Sequence, residues 1–187
     1  MRIGLDIMGG DFAPAAPIDG AILAANKLGA RAEIVLIGDE PLIRKELEAR
    51  EQSPEAFSIV HTDQVISMGE SPTKGVSSKP KSSINIGIGL VKQGKLDGFV
   101  SAGNTGAMLV ASIMGLGRIK GVIRPTIGAL IEIGAGKVAL LSDVGANVDC
   151  KPEVLLQFGI LCKVFLQSVL HIPDPKIGLV NVGEEES

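Results

Sequence analysis

The sequence contains neither tryptophan nor tyrosine, and five phenylalanines are its entire aromatic content. Bases of a single strand stack on such rings, so little here could hold one. Basic excess is missing too. Eighteen Lys and Arg face 21 Asp and Glu, giving −3 overall, and no nucleic-acid partner is expected. Cysteine is scarce: Cys150 and Cys162 do not make a disulfide framework, and two reduced thiols in a cytoplasmic protein are the expectation. The two histidines, His61 and His171, lie far apart, whereas a catalytic zinc takes three protein ligands, so no metal is expected. Long apolar runs are absent as well. Gly106 to Gly117 is the longest nearly unbroken one, too short to span a bilayer. Asp6 and Gly9-Gly10-Asp11 interrupt any apolar leader after Arg2, so no signal peptide is expected.

Familiar catalytic motifs fail on inspection. Gly89-Leu90-Val91-Lys92-Gln93-Gly94-Lys95 matches the start of a P-loop, but Leu96 stands where a Ser or Thr would hold magnesium. Its context, a helix end before a strand, is also the reverse of a P-loop. No G-x-G-x-x-G follows the first strand, and no G-x-S-x-G offers a serine nucleophile. No cofactor is expected. An enzyme of this composition works by positioning and electrostatics.

What is abundant is glycine, 24 of 187 residues, against a usual share of about 7%. Hydrophobic residues make up 45% of the chain. Size scaling then gives a chain that buries about 70% of its extended surface, so residues 1–187 are read as a single α/β domain needing no staples.

Short β-rich runs alternate with helical patterns. Strands are expected at Arg2–Met8, Glu33–Ile37, Phe57–His61, Gly98–Ser101, Thr126–Ile133, Lys137–Ser142 and Lys176–Val182. Helices are expected at Pro14–Leu28, Pro41–Arg50, Ser82–Gln93, Thr105–Leu116 and Pro152–Leu170. This alternation implies a three-layer α/β/α arrangement with a mostly parallel sheet.

In such a sheet the loops after the strands share one edge, where ligands bind. The loops there carry Gly9, Gly10 and Asp11, then Ser101, Gly103, Asn104, Thr105 and Gly106, then Asp143, Gly145 and Asn147, and finally Glu184. The Ser101–Gly106 stretch is the strongest local signal. Two glycines bracket Asn104-Thr105 before an apolar helix, whose free N–H groups suit an anion. A plain helix cap with packing glycines is the competing reading. Charge is uneven too. From Ser71 to Ile131 eight bases face the single acid Asp97, so this stretch carries +7 and the remainder −10. It reads as a solvated basic face or as a lure for an anionic substrate or acidic partner.

Several stretches together resemble the PlsX family, the acyl-[acyl carrier protein]:phosphate acyltransferases of bacterial phospholipid synthesis. They are Asp6-Ile7-Met8-Gly9-Gly10-Asp11, Ser82-Ser83, Ser101-Ala102-Gly103-Asn104-Thr105-Gly106-Ala107, Gly121-Val122-Ile123-Arg124-Pro125, Asp143 through Glu153 and Asn181-Val182-Gly183-Glu184-Glu185, in the family's order and spacing. The resemblance implies that inorganic phosphate attacks an acyl thioester, giving an acyl phosphate and free acyl carrier protein. It also implies a fold like that of phosphotransacetylases and the isocitrate dehydrogenase group. The implied protein is a cytoplasmic homodimer with peripheral membrane association.

Asp6, Asp11, Asn147 and Glu184 are the catalytic candidates. Gly9, Gly10, Lys79, Ser101, Gly103, Asn104, Thr105, Gly106, Asp143 and Gly145 are the substrate- or phosphate-binding ones. Ser77 stands where many relatives carry an Arg, which weakens a bidentate phosphate clamp. By resemblance the chain corresponds to the family's N-terminal half. The second half would supply a catalytic lysine, much of the dimer interface and membrane-facing helices. Two other functions fit the same loops: a phosphotransacetylase-like enzyme using coenzyme A thioesters, and a non-catalytic scaffold that binds carrier protein.

Overall fold

A computed structural model describes residues 1–147 and 149–180. The chain forms two compact units, Met1–Gly117 and Arg118–Ser187.

The first unit is built on a sheet of four parallel strands: β1 (Arg2–Asp6), β2 (Glu33–Gly38), β3 (Ser58–His61) and β4 (Gly98–Val100), in the order β3-β2-β1-β4. Helices α1 (Ala15–Leu28) and α2 (Glu40–Glu48) follow β1 and β2. Helices α3 (Pro72–Ser78) and α4 (Ser83–Lys92) lie between β3 and β4, and α5 (Thr105–Gly115) follows β4.

Strand β2 shows why both sheet faces are covered. Its side chains alternate in direction, as in any strand. Ile34 and Leu36 join Ile7, Ile18, Ala21, Ile43 and Leu47 in a core with α1 and α2. Val35 and Ile37 face the other way, into a cluster with Leu96 and the α4 residues Ile86, Leu90 and Val91. A parallel strand buried on both faces has to be apolar throughout, and Ile34–Ile37 is. A third cluster ties α3, α4 and α5 together through Val76, Ile84, Ile88, Ala107 and Ala111.

The expected elements of this unit form within a few residues of their anticipated ends; β1 stops at Asp6, before Met8. Pro14 caps α1 from outside and is not its first residue. Helix α3 was not expected. Seven residues with a glycine and three hydroxyl side chains carry no helical periodicity, and the helix owes its place to packing on α5.

The second unit holds β5 (Gly128–Glu132), β6 (Val138–Ser142) and α6 (Pro152–Ser168). The four strands of the first unit bear out a mostly parallel sheet, and this second unit supplies the exception. β5 and β6 pair antiparallel, because the five residues Ile133–Lys137 close a hairpin and leave no room for a crossover helix. Among the described residues the expected last strand is also missing: 176–180 make no ladder, and 181–187 lie outside the described residues. Among the described residues of this unit, buried apolar side chains are few: Val154, Phe158 and Leu166, all on α6. No helix among the described residues is long and apolar enough to cross a membrane.

One contact sets how closely α4 meets the sheet. A Cβ on Gly87 would stand 2.3 Å from the Phe99 ring, and one on Gly4 would stand 2.6 Å from Leu96 and 3.2 Å from the same ring. Phe99 thus sits in a slot made by two missing side chains. Gly87→Ala overpacks that slot, typically at a cost of about 1–3 kcal/mol, set against a gain of about 1 kcal/mol in helix propensity. A lowered thermal midpoint is expected. Gly89→Ala, on the same helix with open space around it, should instead raise it.

Candidate functional site

The chain runs from β1 to β2 to β3 on one side, then crosses to place β4 on the other side of β1. The strand order therefore reverses between β1 and β4. In open parallel sheets the crevice at the carboxyl ends of two such strands is where ligands bind. Eight candidate residues meet there, on the loops leaving β1 and β4.

Asp6 ends β1 and is buried. Its Oδ1 accepts the Met8 N–H at 3.0 Å, and its Oδ2 accepts the Ser101 hydroxyl at 2.7 Å. The Ser101 Oγ in turn accepts the Gly103 N–H at 3.0 Å. These bonds stitch the two loops so closely that a Cβ on Gly9 would lie 2.6 Å from Asp6 Oδ2 and 2.8 Å from the Gly103 nitrogen. Gly10, at φ +107°, turns the chain beside Ala102. The glycines Gly9 and Gly103 thus answer to close approach. Asp11 lies exposed in the next turn.

Asn104 caps α5, but its side chain has nothing left for an anion. Its Oδ1 accepts the Ala107 N–H at 2.9 Å. Its Nδ2 donates to the carbonyls of Ser67 and Met68 at 3.1 Å and of Glu70 at 2.9 Å. The Asn104 side chain, expected to bind phosphate, is thus fully engaged within the protein. Among the described residues, the N–H groups of Thr105 and Gly106 meet no acceptor. They are two of the first-turn donors that every helix leaves unpaired, and the helix dipole favours negative charge beside them. Gly106 is also a packing glycine, since a Cβ there would strike Pro72 at 2.5 Å.

Lys79 is among the expected substrate- or phosphate-binding residues. Its ammonium donates to Glu70 Oε2 at 2.6 Å and to the Val65 carbonyl at 2.7 Å. Lys79 and the Ser67 N–H hold the Glu70 carboxyl below the usual carboxylate range. Glu70 was missed because it lies one residue outside the basic stretch, and no spacing rule links it to Lys79.

The basic stretch itself does not make one patch. Arg2, at the start of β1, donates to the Lys95 carbonyl, which puts Lys95 at the edge opposite Asp6. Lys74 is near enough to Glu70 to help lower its pKa.

Asp143, Gly145 and Asn147 form a separate turn in the second unit. Asp143 Oδ1 accepts from the Thr126 hydroxyl and the Ile127 N–H, both at 2.9 Å. Its Oδ2 accepts from the N–H groups of Ala146 at 2.8 Å and Asn147 at 2.7 Å. The Asn147 amide donates to the Pro125 carbonyl. Gly145, at φ +91°, makes the turn. Asp143 thus spends its lone pairs on shaping its own loop. Glu184 lies outside the described residues.

A shallow depression lined by Glu40, Pro41, Arg44 and His61 lies at the start of α2. Its cation is paired with Glu40 and Glu55, and the Glu40 N–H already donates to His61 Nδ1. Among the described residues, no cluster of His, Cys, Asp or Glu is placed to hold a metal ion.

A parallel α/β unit with Gly-lined loops and open N–H donors at its switch point belongs to a broad class of anion- and nucleotide-binding folds. Comparison narrows the class. A family model described as "Fatty acid synthesis protein" matches residues 1–187, and the chain belongs to that family, the PlsX family whose motifs it carries. It is similar to the phosphate acyltransferases of Desulforudis audaxviator and Desulforamulus reducens. Both are 46% identical over 187 residues, the whole of this chain and 54% and 55% of theirs. That of Thermosynechococcus vestitus is 44% identical over 99% of this chain and 53% of its own. The chain spans about half the length of the curated relatives it matches.

The Asp143 turn yields a pH prediction. Burial acts to raise its pKa, but the donors from Ile127, Asn147, Thr126 and Ala146 outweigh it, and the folded value lies below the ordinary one. Its stabilisation is full above the unfolded value of about 3.9 and is lost as pH falls through the lower folded value. Asp143→Asn replaces one acceptor oxygen by a donor facing N–H groups, and should destabilise the second unit by about 1.5–3 kcal/mol at pH 7. In urea midpoints measured from pH 7 to pH 3, the gap between wild type and variant should close toward the acid end.

Proposed function

We propose that the chain carries the phosphate-binding part of an enzyme that transfers a fatty acyl group from acyl carrier protein to inorganic phosphate. One observation carries this reading. At the site edge the first N–H groups of α5, those of Thr105 and Gly106, are open among the described residues and point along the helix axis, in a chain whose full length matches phosphate acyltransferases. Phosphate is nucleophilic near neutral pH without a metal or a base. One oxygen of hydrogen phosphate attacks the thioester carbonyl, the C–S bond breaks, and the departing sulfur takes up the proton that phosphate gives up, so that the thiol stays with the carrier protein. The acyl phosphate leaves. Backbone N–H donors suit both the incoming anion and the oxyanion on the carbonyl, since they need no reorganisation as charge moves.

Asp6 acts in this reading by fixing Ser101 and the β4–α5 loop, and Asn104 by fixing the helix start. The exposed lysines near the site edge, Lys74 and Lys81, offer an acidic carrier protein a complementary surface. A cytoplasmic homodimer, peripheral on the membrane, completes the proposal.

Thr105 is the first helical residue of α5, a position that accepts proline. The extended Asn104 backbone before it (φ −58°, ψ 108°) is compatible with one. Thr105→Pro deletes a single donor. A hydrogen bond to a charged group is worth about 1.5–3 kcal/mol, so the Michaelis constant for phosphate should rise about 10- to 150-fold. The constant for acyl carrier protein should barely move, and Thr105→Val should leave both near wild type. An unchanged phosphate constant in a folded Thr105→Pro protein rejects the cradle. Equal rates with the same acyl group on coenzyme A would reject the carrier-protein assignment.

A further inference from the structure

The turn Ser67–Glu70 has no role in the function proposed above, yet it is the most heavily tied loop of the first unit. Three of its carbonyls take the Asn104 Nδ2. Glu70 closes the turn on itself, its N–H donating to the Ser67 carbonyl at 3.1 Å and its Oε2 accepting the Ser67 N–H at 3.2 Å. Lys79 clamps the turn from outside through Glu70 and Val65. Lys79 is itself anchored: its carbonyl accepts the Asn85 amide of α4 at 2.8 Å, and that amide also donates to the Val76 carbonyl at 2.9 Å. A continuous chain of hydrogen bonds therefore runs from α4 through Lys79 and Glu70 to the cap of α5.

The end of that chain bears on the open donors. A capping Asn accepts from either the second or the third N–H of its helix. On α5 these belong to Gly106 and Ala107. Asn104 Oδ1 takes Ala107. With Nδ2 fixed by three carbonyls, the amide plane has one orientation, and Gly106 stays free. An Asn104 released from the turn can swing its Oδ1 onto Gly106 and compete with an incoming anion.

We propose that Glu70 and Lys79 are positioning residues for phosphate: the hydrogen bonds that Glu70 Oε2 accepts from Lys79 and from the Ser67 N–H hold the 67–70 turn, whose carbonyls aim Asn104 at Ala107 and so keep the Gly106 N–H open. The inference rests on the phosphate reading of the α5 start. It assigns Lys79 a part in anion binding without contact, opposite in kind to a direct ligand.

Reach and charge can be separated at Glu70. Glu70→Asp keeps the charge and shortens the reach to Lys79. Glu70→Gln keeps the reach and removes the charge. If Glu70 acts only through its charge, Glu70→Asp binds phosphate like wild type, and Glu70→Gln binds it more tightly. Positioning gives a different order. Glu70→Asp should weaken phosphate about 2- to 30-fold, the range that Asn capping energies span, and Glu70→Gln should bind at least as tightly as wild type.

The measurement is a titration of inorganic phosphate into the full native chain, followed at the Thr105 and Gly106 amide resonances, with thermal midpoints on the same samples. Amide exchange without phosphate gives a second readout. In Glu70→Asp, exchange should slow at Gly106 and quicken at Ala107 as the cap shifts, whereas general loosening would quicken both. Wild-type amides indifferent to phosphate would overturn the cradle and the inference with it. Wild-type amides that respond, with Glu70→Asp equal to wild type or both amides quickened, would overturn the inference alone.

Discussion

Most of the site geometry follows from one hydrogen bond, the 2.7 Å contact between the Ser101 hydroxyl and the buried Asp6 carboxyl. It joins β1 to β4 at the place where the strand order reverses. A buried carboxyl left without donors is costly, so Asp6 constrains whatever stands beside it. Ser101 answers with its hydroxyl and then holds the Gly103 N–H. That closeness leaves no space for a side chain at Gly9. The β4–α5 loop is fixed as a result, and α5 starts at the crevice with its first N–H groups unpaired. Asp6 and Ser101 are bonded to each other and to the backbone, and so they decide where the loop backbone stands.

Backbone donors differ from lysines as an anion site. A lysine brings a charge that the surrounding protein has to balance. In this fold that balance is already struck, with Lys79 against Glu70. Peptide N–H groups bring only partial charge, fixed in direction by the helix. They hold an anion without a buried cation left behind when it departs. The same helix start also explains why Asn104 is buried and fully engaged: its role is geometric, and its four contacts reach two separate parts of the chain.

The sequence made the first unit legible because its signals are local. Ile34–Ile37 could only be a doubly buried strand, and Ser101–Gly106 reads as a strand-to-helix turn whatever surrounds it. The loops at the β1 and β4 ends could be placed on one edge for the same reason. What escaped was non-local. Helix α3 depends on the Pro72 contact with Gly106, across 34 residues. The Lys79 partner depends on a loop folding back. The antiparallel hairpin β5–β6 was legible in hindsight from Gly134-Ala135-Gly136, a turn signal between two apolar runs. The regular β-α alternation upstream had suggested parallel pairing instead. Asp143 was read as a ligand because a carboxyl in a Gly/Asn turn is the same pattern whether it faces substrate or its own backbone.

The separation of Asp6 from Ser101 by 95 residues also orders events during synthesis. The strands β1, β2 and β3 are complete once His61 has been made, and their apolar faces can begin to close over α1 and α2. β1 still has a bare edge at that stage, and the Asp6 carboxyl has only the Met8 N–H. Water has to serve as its second partner until β4 arrives. The crevice cannot close before Ser101 has been made, and the strand that closes it also covers the bare edge of β1.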